Sequence, residues 1–513
     1  MSIVLPPSSP ATRDRALDVL LSEELEPIID MVGWSPAAGL FEVASADGQV
    51  RFRRVADGGG GGGGGGGRWQ YEVEAVSGAS PLANQEASQF GTLTEERHAA
   101  HPHRKDNSYP WGFEQFAQLW DHPSAPDLCV IHSAAHNWAE AGGHLGEHGS
   151  LGVVQARAPF IACGAGIRPM GMLDRSCRLI DFAPTVMRLL GGAGAGGAGA
   201  GSAWRLKEED GSPLTEILDG RPSRHVIGFL WDGTNANVLY DLAARGDAPN
   251  IARLMAGGVT YRYGALASLP TVTLANHTGI LTGLHPGHHG ILHNAWIDRA
   301  TGNQVVTNSP ATWVTATQWL NPRVETLAAA VKRVLPGSFT ASVNEPCDAG
   351  ADFSTFDRVR RGEQLERPPA PDDLPDASER FVRPSKDYRW SSRIDHTAVQ
   401  QACGLLDGSY LGTTWPAPTF MWVNFTLTDA AFHEGGPYSE MATSSVRDTD
   451  ARIGHILDAV ERSGRWDDTT FFLMADHGMQ ETNPQVRGDW DETLRAKGIA
   501  VRDEGYGFVY LPE

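Results

Sequence analysis

The chain has 513 residues, of which 41% are hydrophobic and 20% are charged, and its formal net charge is -20. This balance is typical of a globular protein with a sizeable buried core, and it excludes general disorder. The negative charge, without a long run of lysine and arginine, argues against a nucleic-acid polymer as a general partner, so we expect a small-molecule substrate.

The N-terminal sequence and the cysteines bear on the cellular compartment. MSIVLPPSSPATRDR lacks a basic segment followed by an apolar core, and no stretch approaches the roughly 20 apolar residues of a membrane-spanning helix. The cysteines are odd in number and not closely paired, as in proteins with free thiols: Cys129, Cys163, Cys177, Cys347 and Cys403. We therefore expect a soluble cytoplasmic protein without a membrane partner. The sequence leaves the oligomeric state open.

In chain order, strand-like and helix-like runs alternate. QVRFRRV and RWQYEVEAV flank the glycine run 58–67, which we interpret as a hairpin tip. Apolar runs predict buried strands of a mainly parallel sheet: DLCVIHSA near 130, APFIACG near 160, HVIGFLWD near 228, FMWVNFTLTD near 424 and TTFFLMAD near 472. Helical patterns lie between them: APTVMRLL, NIARLMAGG, VETLAAAVKRVL and the run from Ala442 to Gly464. The alternation predicts an α/β layered fold.

Acidic residues and histidines follow three of these strands. Asp232 ends the first, Asp429 follows the second with His433 four residues later, and Asp476 and His477 end the third. A lone aspartate after a strand is more often a turn or capping residue. Three such positions at strand ends, where ligands bind in α/β sheets, instead favour a metal site. Aspartate and histidine suit zinc or manganese.

Thr273 precedes LANHTGILTGL, a predicted helix whose N-terminal N–H groups can bind an anion. A threonine hydroxyl becomes a good nucleophile only beside a base or a metal ion. The alternative is that Thr273 simply caps the helix.

These residues resemble the alkaline phosphatase superfamily and, within it, the type I phosphodiesterase and nucleotide pyrophosphatase family. The resemblance rests on four blocks: Asp232-Gly233, the P-T-x-T-x-x-N-H block from Pro270 to His277 with the TGLHPGHHGI tail and Asn294, Asp429-x-x-x-His433 followed by GGP, and Asp476-His477-Gly478. It implies a three-layer alkaline-phosphatase-like α/β fold, two divalent metal ions, zinc or manganese, and a phosphothreonine intermediate on Thr273.

The same resemblance implies the role of each residue. Asp232, Thr273, Asp476 and His477 would bind one metal ion. Asp429 and His433 would bind the other, together with a further histidine that normally lies downstream of the Asp-His-Gly block. Asn294 and the backbone N–H of Leu274 would bind a phosphate oxygen.

No histidine follows His477 in this chain. GEHGSLGVVQARAPFIACGAGIR, RLIDFAPTVMRLLGG and EEDGSPLTEILDG instead resemble the closing part of the family fold, and they place His148 as the missing ligand, with His144 as its rival. We interpret the chain as a circular permutation forming one catalytic domain, in which residues 1–220 correspond to the usual C-terminal part and 221–513 to the N-terminal part. Two incomplete domains that complete their sites between subunits are the alternative.

The proline-rich and charged stretch 345–400 is predicted to form a lid or small insertion near the site, or else an idle surface loop.

We predict a metal-dependent phosphodiesterase that hydrolyses a phosphodiester or pyrophosphate bond. Phosphatases of the superfamily place an arginine on the extra monoester charge, and no arginine here clearly matches it. Nucleotide pyrophosphatases carry aromatic residues where this chain has Leu274 and Asn424, so the resemblance does not extend to their base-stacking site.

The alternatives are a phosphonate hydrolase cleaving a carbon–phosphorus bond, a phosphomonoesterase, and a catalytically silent metal- or phosphate-binding protein. A sulfatase is disfavoured because no Cys-x-Pro-x-Arg or Ser-x-Pro-x-Arg motif is found.

Overall fold

Apolar runs of the chain form the strands of two large sheets in a computed structural model, and amphipathic helices cover them. The structure describes residues 5–55, 69–138, 144–192, 203–363, 386–503 and 507–512. The glycine run 58–67, most of the second glycine-rich stretch and residues 364–385 of the predicted lid lie outside these ranges.

The α-helices, numbered in chain order, are α1 (Pro10–Leu20), α2 (Leu93–Ala99), α3 (Gly112–Leu119), α4 (Val153–Ala156), α5 (Phe182–Gly191), α6 (Ala236–Arg245), α7 (Pro249–Ala256), α8 (Thr273–Thr282), α9 (Pro286–His289), α10 (Leu327–Val334), α11 (Thr355–Arg360), α12 (Lys386–Leu406), α13 (Leu427–Gly435), α14 (Glu440–Arg462) and α15 (Trp490–Ala496). Short 3₁₀ helices span Leu179–Asp181, Thr215–Ile217, Trp313–Trp319 and Trp466–Asp468. The five helices predicted from the sequence are confirmed, in α5, α7, α8, α10 and α14.

The strands before residue 220 are β1 (Ile29–Ala37), β2 (Leu40–Ser45), β3 (Gly48–Val55), β4 (Gln70–Gly78), β5 (Leu128–His132), β6 (Gly146–Glu147), β7 (Arg157–Ala158), β8 (Phe160–Gly164), β9 (Gly171–Leu173) and β10 (Cys177–Arg178). Those after it are β11 (His225–Trp231), β12 (Gly258–Tyr261), β13 (Ala265–Leu266), β14 (Ala295–Asp298), β15 (Asn303–Val306), β16 (Thr340–Val343), β17 (Phe353–Ser354), β18 (Ser409–Tyr410), β19 (Thr413–Thr414), β20 (Phe420–Phe425), β21 (Thr469–Met474), β22 (Gln480–Glu481), β23 (Arg502–Asp503) and β24 (Phe508–Tyr510).

The central sheet has eight strands in the order β17-β16-β20-β11-β21-β8-β12-β9. Strands β16, β20, β11 and β21 run parallel to one another, so the predicted mainly parallel sheet is confirmed. Leu230 of β11 lies opposite Asn424 of β20 and Met474 of β21. This register brings the carboxyl ends of the three strands to the same edge of the sheet.

Side chains of the central strands alternate between two apolar clusters. Ile227 and Phe229 pack on one face, while Val226 and Leu230 pack on the other. Helices α6, α7, α12 and α14 contribute to the first cluster, and α5, α8 and α10 to the second. Because apolar strands with helices on both faces bury their backbone from water, the result is the expected three-layer α/β arrangement.

Two of the five predicted strands lie differently from the prediction. The run near 160 forms β8, which is antiparallel to both of its neighbours, β21 and β12. The run near 130 forms β5, which belongs to a separate antiparallel sheet with the order β23-β24-β5-β1-β2-β3-β4. An apolar run indicates that both faces of a strand are buried. It does not indicate which strand is the neighbour, or whether the two pair parallel or antiparallel.

Both large sheets combine strands from before and after residue 220. Strands β8 and β9 complete the central sheet, and β23 and β24 extend the sheet that begins with β1. The flanks of the first glycine run, β3 and β4, pair antiparallel as a hairpin would. Among the described helices, none is both long enough and apolar enough to cross a bilayer. All five cysteines are free.

Candidate metal centre and active site

The three carboxylates of the site lie just after three neighbouring strands of the central sheet. Asp232 directly follows β11, and Asp476 follows β21 after one intervening residue. Asp429 does not end its strand as predicted, because β20 stops at Phe425 and Asp429 lies in the first turn of α13. His433 is one helical turn further on, and side chains four residues apart share a helix face.

Helix α13 is held in place by Asp395 of α12. The Asp395 carboxylate accepts hydrogen bonds from the backbone N–H of Thr426 at 2.7 Å and of Leu427 at 3.1 Å, at the start of α13. Ala398 and Ala402 of the same helix are buried in the core. The part of the stretch 345–400 that begins at residue 386 therefore lies in a helix, and some of its side chains pack in the core.

Asp232, Asp476 and His477 form a first cluster. The His477 Nε2 atom lies 3.1 Å from Asp476 Oδ2 and 3.7 Å from Asp232 Oδ1. Gly233 adopts a φ of +65°, and a Cβ atom there would lie 2.5 Å from Asp429 Oδ1. Only glycine fits this position, which lets the chain after β11 approach α13 closely.

Asp429, His433 and His148 form a second cluster. The His148 Nε2 atom lies 3.1 Å from His433 Nε2 and 3.8 Å from Asp429 Oδ1, and His433 Nε2 lies 3.4 Å from Asp429 Oδ1. The other ring nitrogens contact backbone carbonyls, His148 Nδ1 that of Thr271 at 2.8 Å and His433 Nδ1 that of Gly146 at 2.8 Å. Such contacts set which nitrogen of each ring faces the cluster.

The two clusters touch, because the rings of His148 and His477 stack with their centroids 3.6 Å apart. His144, the rival of His148, lies elsewhere: its Nδ1 contacts Glu147 at 2.9 Å, and its ring centroid is 4.6 Å from that of His433. His144, Glu147 and His433 could themselves hold an ion. His148 is nevertheless the histidine that reaches Asp429.

Several buried polar atoms in the clusters have no hydrogen-bond partner: Asp232 Oδ1, Asp429 Oδ1, Asp476 Oδ2 and His477 Nε2. Leaving such atoms unpaired is costly unless a ligand satisfies them. The second cluster has the geometry to hold an ion, and so do Asp232 and Asp476 with His277, and Asp232 and Asp429 with His477. Carboxylate and imidazole atoms with these spacings fit a zinc or manganese ion.

The charges of the clusters are unbalanced without a cation. Burial raises the pKa of Asp232 well above its usual value, and the neighbouring Asp476 and Asp429 carboxylates raise it further. Burial lowers the pKa of His148 well below its usual value, and His477 and His433 add to this effect. A bound cation would stabilise ionised carboxylates and neutral imidazoles, which are the forms that coordinate metals.

Thr273 is the first residue of α8 and does not cap it, because the N-cap residue is Val272. Its side chain is 8% exposed and faces the same pocket as Asp232 and Asp429. Asn294 is adjacent, since its Oδ1 accepts a hydrogen bond from the Leu274 N–H at 3.0 Å. That N–H was expected to bind phosphate, but it is engaged by Asn294, whose amide NH₂ group has no hydrogen bond to the described residues.

The pocket beside Thr273 is lined by both aromatic side chains and amides. Its aromatic wall consists of Trp313, Phe356 and Trp390, and its amides are Asn308, Asn344 and Asn424. No lysine or arginine among the described residues lines it. Two of these amides bind each other's backbone, since the Asn424 amide donates to the Asn344 carbonyl at 3.0 Å and the Asn344 amide donates to the Asn424 carbonyl at 3.1 Å.

Two buried residues beside the first cluster, His277 and Glu345, are not among the site residues predicted from the sequence. His277 was part of the quoted block, and its position four residues after Thr273 could have placed it on the same helix face. Glu345 follows β16, a parallel strand that the sequence pattern did not reveal. The strand-end rule would have found Glu345 once that strand was known.

Comparison with known proteins assigns the family. The sequence profile of the type I phosphodiesterase / nucleotide pyrophosphatase family matches residues 226–512. An uncharacterized pyrophosphatase/phosphodiesterase of Schizosaccharomyces pombe is 25% identical over 287 residues, which are 54% of this chain and 49% of that protein. Ectonucleotide pyrophosphatase/phosphodiesterase family member 3 of Mus musculus is 26% identical over 263 residues, 50% of this chain and 25% of that protein.

Among solved structures, a phosphonoacetate hydrolase from Sinorhizobium meliloti in complex with phosphonoformate is 21% identical, with a TM-score of 0.33 over 51% of this chain and 58% of that chain. The chain thus matches about half or less of the length of the two curated relatives. Since the family profile covers more than half of the chain, the protein belongs to the type I phosphodiesterase / nucleotide pyrophosphatase family.

Proposed function

We propose that the protein is a metal-dependent phosphodiesterase that cleaves a phosphodiester or pyrophosphate bond of a small molecule through a phosphothreonine intermediate. The observation that carries this proposal is the pair of adjacent clusters with unpaired carboxylate oxygens beside Thr273. Family membership supports the same chemistry.

Two divalent cations, zinc or manganese, would be held by the residues of the two clusters. Asp232, Asp476 and His477 would hold one together with Thr273. Asp429, His433 and His148 would hold the other. When bound, such a pair of ions stabilises charge on the attacking and leaving oxygens of a phosphoryl transfer.

The residues of the chain define the rest of the reaction. Thr273 stands at the N-terminus of α8, where free N–H groups orient an anionic phosphoryl group toward its hydroxyl. The Thr273 hydroxyl loses its proton and its Oγ1 forms the new bond to phosphorus, while the bond from phosphorus to the ester oxygen of the leaving group breaks and that oxygen takes up a proton. Water then cleaves the phosphothreonine, which restores the hydroxyl and releases the phosphoryl product. The Asn294 amide donates to a non-bridging oxygen during both steps.

The pocket supports a diester rather than a monoester. A phosphomonoester carries an additional negative charge, which a site without a cationic side chain binds poorly. No lysine or arginine lines the described part of the pocket, whereas its aromatic wall suits an uncharged substituent on phosphorus. Pro346, Phe356 and Trp390 of the wall come from the stretch 345–400. We therefore propose that this stretch helps to select the leaving group.

We also propose that the chain is circularly permuted, with residues 1–220 and 221–513 forming one catalytic domain. The family profile begins at residue 226, close to this boundary. Both large sheets contain strands from each segment, and His148 of the first segment contacts His433 of the second. These contacts within one chain favour permutation over two half-sites completed between subunits.

Zinc-loaded protein should hydrolyse bis-p-nitrophenyl phosphate faster than p-nitrophenyl phosphate. We expect Thr273→Ala to lower kcat by about 10³-fold or more, because it removes the nucleophile. His148→Ala should also abolish most of the activity, whereas the matched control His144→Ala should stay within a few-fold of wild type.

Full activity in Thr273→Ala would disprove the assigned nucleophile. A faster monoester reaction would identify a phosphomonoesterase instead. If neither ester reacts, release of phosphate from a phosphonate would identify a phosphonate hydrolase, and its absence would favour a binding role.

A further inference from the structure

A cavity of about 290 Å³ lies near the edge of the central sheet that is opposite the metal centre. Its wall includes Arg168, four residues after the end of β8. The end of β8 pairs with the start of β21, because Gly164 lies opposite Thr470. Asp476 lies beyond the other end of β21, so at about 3.3 Å per residue this strand separates the cavity from the metal centre by roughly 20 Å.

The cavity carries an excess of positive charge. The charged side chains that line it are Arg168, Arg188, Arg221 and Asp219. Burial acts to raise the pKa of Asp219, but the hydrogen bonds from Arg221 and the charges of Arg221 and Arg168 outweigh burial and lower it. Asp219 is therefore ionised near neutral pH, and three guanidinium groups surround one carboxylate. The resulting excess of two positive charges is opposite in sign to the formal net charge of the chain, -20.

Two of the three arginines contact backbone carbonyls rather than carboxylates. Arg168 Nη1 donates to the Glu216 carbonyl at 3.3 Å, and Arg188 Nη1 donates to the Gly192 carbonyl at 3.0 Å. The Glu216 carboxylate does not balance their charge, because it accepts a hydrogen bond from the Tyr261 hydroxyl at 2.7 Å. A guanidinium group has five N–H donors, so each of the two arginines keeps four that bind no other described residue.

The backbone around the cavity is held in place before any ligand binds. Ile167 and Leu218 form an antiparallel bridge between the two segments that carry Arg168 and Arg221. Gly166 has a φ of +75°, and a Cβ atom there would lie 2.7 Å from the Arg221 carbonyl oxygen. Only glycine fits this close approach. Because the two segments are already joined, a ligand would bind with little cost of ordering them.

We propose that this cavity binds a phosphate dianion, either inorganic phosphate or the phosphate group of a monoester. A dianion balances the two excess positive charges, whereas a phosphodiester carries only one negative charge. The parallel N–H donors of a guanidinium group match two phosphate oxygens, and phosphate has further oxygens for the other arginines. The cavity is separate from the metal centre, so this proposal does not rest on the proposed function.

Calorimetric titration of the metal-free, full-length chain with inorganic phosphate tests the proposal. Without cations, the carboxylates of the metal centre repel a dianion, so phosphate that binds to this form reports on the cavity. At about pH 8, above the second pKa of a phosphate group, the ligand is a dianion. We expect wild type to bind one phosphate. Arg168→Gln and Arg188→Gln should each weaken binding by about 10-fold or more, because each removes charge-assisted hydrogen bonds.

Arg224→Gln is the matched control. Arg224 is an exposed arginine three residues after Arg221, it pairs with Asp468 at 3.4 Å, and it does not line the cavity. The control removes one positive charge from the same region, and it should bind phosphate as wild type does. Titration with glycerol phosphate separates the two sources of the ligand. Tighter binding than inorganic phosphate would identify the phosphate group of a monoester, and weaker binding would identify free phosphate.

Three results would overturn the proposal: no binding of either anion to metal-free wild type, wild-type affinity in both Arg168→Gln and Arg188→Gln, or tighter binding of succinate than of both phosphates, which would identify a dicarboxylate site. None of these results would affect the proposed function, because diester hydrolysis by the zinc-loaded protein is measured separately.

Discussion

Histidines and aspartates that are partly or fully buried join the two segments of the chain at two places, and the side chains at these places are paired in opposite ways. In the first, the His288 network, His288 Nδ1 contacts Asp210 at 2.6 Å and His288 Nε2 contacts Asp121 at 2.7 Å. Both nitrogens are thus paired within the protein. In the metal centre, carboxylate oxygens and imidazole nitrogens of the same residue types remain unpaired. A saturated network holds a fold together, whereas an unsaturated one is built to bind something else.

The pKa values show the same contrast. Burial acts to lower the pKa of His288, but its bonds to Asp121 and Asp210 outweigh burial and raise it to about 10. Burial and like charge both raise the pKa of Asp232. The His288 network therefore stabilises the protein without a ligand, and the metal centre costs stability until a cation binds.

The largest effect should come from supplying the cation. At a Zn²⁺ concentration 100 times its Kd, binding to the native state alone should raise the free energy of unfolding by about 2.7 kcal/mol. Asp476→Asn should remove the part of this gain that comes from the ion at the first cluster, and His288→Gln should keep the whole gain. Thermal unfolding with and without Zn²⁺ measures the gain in each variant. If Asp476→Asn gained as much stability from Zn²⁺ as wild type, the proposed difference between the His288 network and the metal centre would be wrong.

His288→Gln should have the next largest effect, on the metal-free protein. The substitution leaves two partly buried carboxylates with fewer partners, so we expect the free energy of unfolding to fall by about 2 kcal/mol. Denaturant unfolding measures the loss. Diesterase activity per folded molecule should stay within a few-fold of wild type, and a loss of activity at unchanged stability would mean that the network serves the reaction directly.

The smallest expected effect is the pH dependence of the loss of stability in His288→Gln. The native pKa of His288, about 10, lies above the unfolded value of about 6.5. Its stabilising contribution is therefore fully present below about pH 6.5 and is lost as the pH rises through about 10. The difference in unfolding free energy between wild type and His288→Gln should shrink over that window, and a constant difference would show that His288 is not charged in the native state.

The sequence revealed the parts of the fold that depend on local pattern. Strands β11, β20 and β21 are long apolar runs followed by acidic residues, so both their burial and their common edge could be predicted. The antiparallel sheet that contains β1 to β5 was not predicted as a unit, because β5 pairs with β1 and β24, which lie in distant parts of the chain. The direction of β8 depends on its neighbours, which no local pattern records.

The residues of the site also divide into those that could be predicted from the sequence and those that could not. Family motifs placed the residues of both clusters, and the structure brings Asp232, Asp476 and His477 together, and likewise Asp429, His433 and His148. Their roles in binding metal remain predictions. His277 stood inside a quoted motif without a role, because the letters of a motif do not reveal which way a ring nitrogen faces. Glu345 lay beyond a short strand whose four residues carry too little periodicity to be recognised.

The position of β8 also has a consequence for biosynthesis. This strand lies between β12 and β21, and β21 is encoded near the end of the chain. A ribosome releases the N-terminal residues first, so β8 leaves the exit tunnel long before its partner β21 exists. Until then β8 and β11 present open edges, which invite pairing with other chains. Because Asp476 and His477 lie within three residues of the end of β21, the strand that closes the sheet during synthesis also brings the last metal-site residues into place.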